Sequence, residues 1–136
     1  SLPDEITAVY LSTRYYRLEQ WEDEQVLDAY IQEFEKINKI LMQATSYLGF
    51  KIRNEGILYL FHNRTTGLLP EKTAMDHVLT QKVLPRIQGS ATLIMPMLTA
   101  FLDYCKAGGY EQTARKAEKM LRSCIDNGYC SCWETA

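Results

Sequence analysis

No phosphate loop of the G-x(4)-GK-[ST] type occurs in the 136 residues, and no hydrophobic strand ends in paired acids. These residues therefore do not make a self-contained nucleoside-triphosphate hydrolase. No Ser-His-Asp or Cys-His arrangement is present either, and the two histidines, His62 and His77, stand near no nucleophile, as expected of satisfied or surface side chains. The four cysteines, Cys105, Cys124, Cys130 and Cys132, show no CxxC spacing and have no histidine close by, which argues against zinc. The acidic run 19–24 reads as a helix start rather than a metal site, so no metal is expected. No apolar run approaches the roughly 20 residues of a membrane span, and the N-terminus lacks the basic-then-apolar layout of a signal peptide. A net charge of −2 gives no global attraction to nucleic acid, so any such contact needs a local basic patch. The sequence begins Ser-Leu-Pro and reads as a piece of a longer protein.

What is present fits one domain of ordinary globular composition, 46% hydrophobic and 24% charged. In a chain that otherwise reads as cytosolic, the cysteines are expected as reduced thiols in a helical core. At the start, Ile6, Ala8 and Tyr10 alternate with Thr7, Val9 and Leu11, which fits a short strand or a first helical turn. Tyr15, Tyr16, Leu18 and Trp21 are expected to pack on the helix that follows.

From Glu22 to Tyr47 the period is helical. Leu27, Ile31, Phe34, Ile37, Leu41, Ala44 and Leu48 fall on one stripe, with Glu22, Asp23 and Glu24 at the positive end of the helix dipole. Gly49 is expected to stop this helix in the left-handed conformation. A second helix should start near Arg53 or Asn54 and run to about Asn63, with Ile57, Leu60 and Phe61 inward and Gly56 a weak point. After the Thr65–Pro70 loop, Thr73 is expected to open a third helix with Asp76 in a capping-box-like place. Met75, Val78, Leu79 and Leu84 form its core face, and Pro85 should end or kink it. Ser90 and Pro96 leave two starts open for the fourth helix, at Ser90 or near Met95. Its stripe of Leu98, Phe101, Leu102 and Cys105 runs to Gly108-Gly109. The last helix spans about Glu111 to Asn127, with Ala114, Ala117, Leu121, Cys124 and Ile125 inward and Gly128 as its cap.

Three segments carry a resemblance. The turn Gly49-Phe50-Lys51-Ile52-Arg53 opens a helix with Glu55 four positions past Lys51; Asp76 leads into Gln81-Lys82-Val83-Leu84-Pro85-Arg86-Ile87 and Gly89; Thr113, Lys116 and Met120 precede Gly128-Tyr129-Cys130-Ser131-Cys132-Trp133. Together they resemble the C-terminal helical lid of McrB-like AAA+ nucleotidases, the motor subunits of modification-dependent restriction systems. That family has an arginine where Lys51 stands, so Lys51 and Arg53 share the candidacy.

The resemblance implies an all-α, lid-like bundle of about five helices: residues 1–21 connecting from an AAA+ core and 22–136 forming the lid. It implies that Lys51 or Arg53 senses the γ-phosphate of GTP or ATP, bound with Mg by the core, because a cation there stabilises charge that develops in phosphoryl transfer. Glu55, Asp76, Lys82 and Arg86 would support the lid or its contact with a neighbouring subunit. The implied setting is a cytoplasmic hexameric ring, with an McrC-like endonuclease as partner and DNA met through the full complex. From the residues alone, Lys51 and Arg53 are better explained as a pair of solvated surface charges; only the resemblance brings the sensing role level with that account. A rival function follows from Arg115, Lys116, Lys119 and Arg122: a non-catalytic helical module that docks protein or DNA through this candidate phosphate or partner face. A solvated face balanced by Glu111 and Glu118 is the plainer account of those four charges.

Overall fold

The computed structural model describes residues 21–44 and 48–135. Helix α1, Trp21–Leu41, tightens into a 3-10 turn at Met42–Ala44. Every residue of the expected stripe is buried, from Leu27 through Ala44 and on to Leu48. The backbone N–H of Leu48 donates to Asn38 Oδ1 at 2.6 Å and fixes the return of the chain. Residues 45–47, where the expected helix would run on to Tyr47, lie outside the described residues. Gly49 is extended (φ −66°, ψ 152°) and launches α2, Phe50–Thr66, so the expectation of a left-handed stop there is corrected. Helix α2 also begins three residues before Arg53, and Gly67 (φ 64°) closes it in the left-handed conformation.

Helix α3, Glu71–Val78, starts directly after Pro70, two residues ahead of Thr73. It widens into a π turn at Leu79–Val83 and then narrows to a 3-10 turn at Leu84–Arg86 that contains Pro85. Proline has no N–H to give to a regular ladder, and the change of winding at this point follows from that. Helix α4, Ala91–Gly108, takes the earlier of the two starts, with Ser90 at its N-cap and Pro96 inside it. Helix α5, Glu111–Asn127, ends at Gly128 (φ 73°) as the spacing requires. A two-residue antiparallel pair joins β1 (Gly89–Ser90) to β2 (Tyr129–Cys130), with Gly89 opposite Cys130. A final 3-10 turn covers Cys132–Thr135. The expected strand or helical turn in residues 1–20, and its tyrosines, lie outside the described residues.

The fold is a small all-α bundle whose five helices share one hydrophobic core. Gly56 explains how closely α1, α2 and α3 approach. A Cβ on it would stand 2.9 Å from Phe34 Cζ and 3.0 Å from Val78 Cγ1. The glycine read from the sequence as a weak point is therefore where another helix's aromatic ring fits. Two further expectations change. Ile125 is 65% exposed rather than inward, since Ala117, Met120 and Cys124 already turn the inner face of α5 to the core. Cys124 and Cys130 form a disulfide rather than two reduced thiols, because the turn at Gly128 folds β2 back along α5 with a Cα–Cα distance of 4.7 Å. Cys105 is a buried thiol outside this bridge.

Candidate functional site

The first turn of α2 carries Lys51 and Arg53 but no acidic residue, and no side chain caps it. Cations at the positive end of a helix dipole are unfavourable unless an anion joins them. The two are placed differently. Lys51 is exposed, whereas Arg53 is only 8% exposed. Arg53 Nε and Nη2 both donate to Asn54 Oδ1, at 3.2 and 3.1 Å, and its guanidinium lies 4.9 Å from the centre of the Phe50 ring. Phe50 itself is 58% exposed, so a cation and an aromatic face stand side by side at the opening of α2.

Glu55, Asp76 and Lys82 join the matched segments to one another in the fold. Glu55 of α2 pairs with Lys82 of the π turn at 3.2 Å. Asp76 does not cap its own helix. Its carboxylate accepts the backbone N–H groups of Gln112 and Thr113, each at 2.9 Å, at the start of α5. The Thr113 hydroxyl donates to Asp76 Oδ1 at 2.5 Å and also lies 2.8 Å from the hydroxyl of Thr80. Thr113 is fully buried. Arg86 is exposed on the 3-10 turn and joins none of the ion pairs among the described residues. The π and 3-10 turns interrupt the repeat that would have set it on one face with Lys82.

On α5, Arg115, Lys116, Lys119 and Arg122 are all exposed. Glu118 does not balance them, since it pairs with Lys106 of α4 at 3.0 Å. Lys116 and Lys119 line a groove of about 390 Å³ that Arg115 and Arg122 do not enter.

Sequence reasoning missed a second cluster. Tyr30 of α1 donates to Glu71 of α3, and Tyr104 of α4 donates to Glu33 of α1 at 2.5 Å. Burial first, then these carboxylates, push both phenols well above the ordinary tyrosine value. Tyr30, Glu33 and Glu71 line a cleft of about 450 Å³ over Leu60 and Met75. The partners are 41 and 71 residues apart in sequence, so no local spacing announces them.

Among the described residues no group of three or more His, Cys, Asp or Glu side chains is placed to hold a metal ion. No described helix is long and apolar enough to cross a membrane. A family model described as a domain of unknown function, DUF8727, matches residues 5–129, and the chain belongs to that family. No curated protein matches the chain, nor does any solved structure.

Proposed function

We propose that this five-helix unit is the lid of an McrB-like AAA+ nucleotidase. In this reading it closes over GTP or ATP held with Mg by a separate core and passes the state of the γ-phosphate to ring neighbours and an McrC-like nuclease. One observation supports the reading most. Of the three sequence segments that resemble the family, the second touches each of the other two, through Glu55–Lys82 and through Asp76–Thr113. Residues that recur together in a family and also contact each other make a shared frame rather than scattered coincidences. With Glu55, Asp76 and Lys82 engaged inside that frame, Lys51 is the exposed cation of the first matched segment. It stands on the first turn of α2, where uncapped backbone N–H groups also favour an anion. Arg53, stacked on Phe50 and bonded to Asn54, holds the turn in shape behind it. Arg86 is the exposed residue suited to a neighbouring subunit.

The test uses the gene product that carries these residues. Lys51→Ala should lower the turnover of GTP or ATP by about tenfold or more, in line with removal of one transition-state contact, and leave the melting temperature unchanged. Arg53→Ala should lower turnover and melting temperature together. Unchanged hydrolysis in both variants, or a gene product that hydrolyses neither nucleotide, overturns the proposal.

A further inference from the structure

The groove beside α5 does not belong to the lid reading. It is lined by Gln81, Leu84 and Pro85 from the change of winding after α3, by Lys116 and Lys119 of α5, and by Trp133. Its volume of about 390 Å³ lies within the range of small-molecule sites. Three features of its lining are unusual together.

First, Trp133 is 72% exposed, although indole is among the most costly side chains to leave in water. Its backbone is nevertheless held: the N–H of Trp133 donates to the buried Ser131 hydroxyl at 3.2 Å, and the residue lies within the 3-10 turn Cys132–Thr135. Secondly, Lys116 and Lys119 are three apart on one helix and so share a face, and neither joins an ion pair among the described residues. Thirdly, Leu84 and Pro85 add an apolar flank to the same lining as the two lysines and the ring. An aromatic plane, an apolar flank and two cations within one concavity match a ligand that is planar at one end and anionic at the other.

The geometry points to a nucleotide-binding groove, with a base stacked on Trp133 and its phosphate between Lys116 and Lys119. Base–aromatic stacking tolerates any base because every base has a π face, so recognition here is by chemical class and not by sequence. The nucleotide has two sources, a free mononucleotide or one unit of a single strand. The net charge of −2 confines the attraction to this patch.

The experiment uses the 136-residue chain and measures no hydrolysis, so its outcome is independent of the lid proposal. A labelled short oligothymidylate is titrated by fluorescence anisotropy, and thymidine monophosphate, inorganic phosphate and polyglutamate are tested as competitors. Trp133→Ala should weaken oligonucleotide binding by about tenfold, the effect of losing one stacked base, while Trp133→Phe keeps most of it. The Lys116→Ala/Lys119→Ala double variant should weaken binding similarly and flatten its salt dependence by about one phosphate contact. Arg115→Ala, outside the groove, should change little. Displacement by the monophosphate at concentrations like those of the oligonucleotide identifies a mononucleotide site, and resistance to it identifies a strand; either supports the groove. Binding untouched by Trp133→Ala and by the lysine double variant overturns it. Equal loss in Arg115→Ala, equal competition by inorganic phosphate or polyglutamate, or no binding at millimolar concentration overturns it as well.

Discussion

Asp76 of α3 caps a helix that is not its own: its carboxylate takes the N–H of Thr113 at 2.9 Å and the Thr113 hydroxyl at 2.5 Å. The residue at the N-cap of α5, Tyr110, supplies no side-chain bond, so the start of that helix depends on a partner 37 positions earlier. Asp76→Ala should cost about 2 kcal/mol, as for a strong helix cap, while the Thr113 hydroxyl keeps the Thr80 hydroxyl and the backbone carbonyl of residue 76 as partners. Asp76→Asn should cost about half that, because the amide oxygen still accepts one N–H. Urea unfolding measures both. A double cycle with Thr113→Val should show coupling of about 1 kcal/mol, and strict additivity would mean the contact is not formed in solution.

Gly56 offers an opposite-signed test of local and tertiary effects. On helix propensity alone, Gly56→Ala stabilises α2 by about 1 kcal/mol. The new Cβ would meet Phe34 Cζ at 2.9 Å and Val78 Cγ1 at 3.0 Å, and both side chains are in the packed core. Overpacking of this kind costs about 1–3 kcal/mol, so the variant should melt lower than the parent. Phe34→Leu in the same chain should recover part of the loss. A melting temperature above the parent's would show that the ring yields freely.

The Cys124–Cys130 bridge closes a loop of sequence separation 6. Chain-entropy reasoning gives a loop that short about 2 kcal/mol of stabilisation. Reductant should lower the melting temperature by several degrees, and Cys124→Ser should lower it whether or not reductant is present. A chain that melts identically with and without reductant would show that the two thiols are not joined in solution.

Stability should fall at alkaline pH. Burial, with a smaller contribution from the Asp76 charge, pushes the Cys105 thiol from 9.0 up to about 12. The folded chain therefore keeps a proton that the unfolded chain releases near 9.0, so stability is full below that pH and declines as pH rises toward 12. The raised phenols of Tyr30, Tyr104 and Tyr110 act in the same direction above their ordinary value of 10.0. Melting temperatures should drop steadily above pH 9, and Tyr104→Phe should make the decline shallower. A flat profile across this window would contradict the burial of these groups.

The helices were legible in the sequence where the apolar repeat is long. The stripe from Leu27 to Leu48 and the extent of α5 follow from spacing alone, because a buried face on a 3.6-residue period leaves little choice. Ends decided by tertiary contact were not legible. Gly49 is the residue type of a helix stop, yet its extended backbone starts α2 instead. Asp76 looked like a local cap because the start of α5, some 37 residues away, is invisible in a short window. Ile125 has the right period but stays 65% exposed. The Tyr–Glu pairs across α1, α3 and α4 left no trace in spacing. In the candidate site, the sequence singled out both Lys51 and Arg53, and only packing distinguishes the exposed amine from the stacked guanidinium.

The passage from α to π to 3-10 winding between Val78 and Arg86 also bears on how this chain tolerates change in length. A π turn holds one residue more than regular helix over the same span. Removing one residue from Leu79–Val83 would let the helix run regularly, at the expense of turning Val83, Leu84 and everything after them by about a quarter-circle about the axis. Leucine and valine would then leave the interior, and Lys82 would swing away from Glu55. Insertions and deletions are therefore best absorbed on the loops at Gly67 or Gly109, while the wide turn keeps its count because it aims the side chains on either side of it.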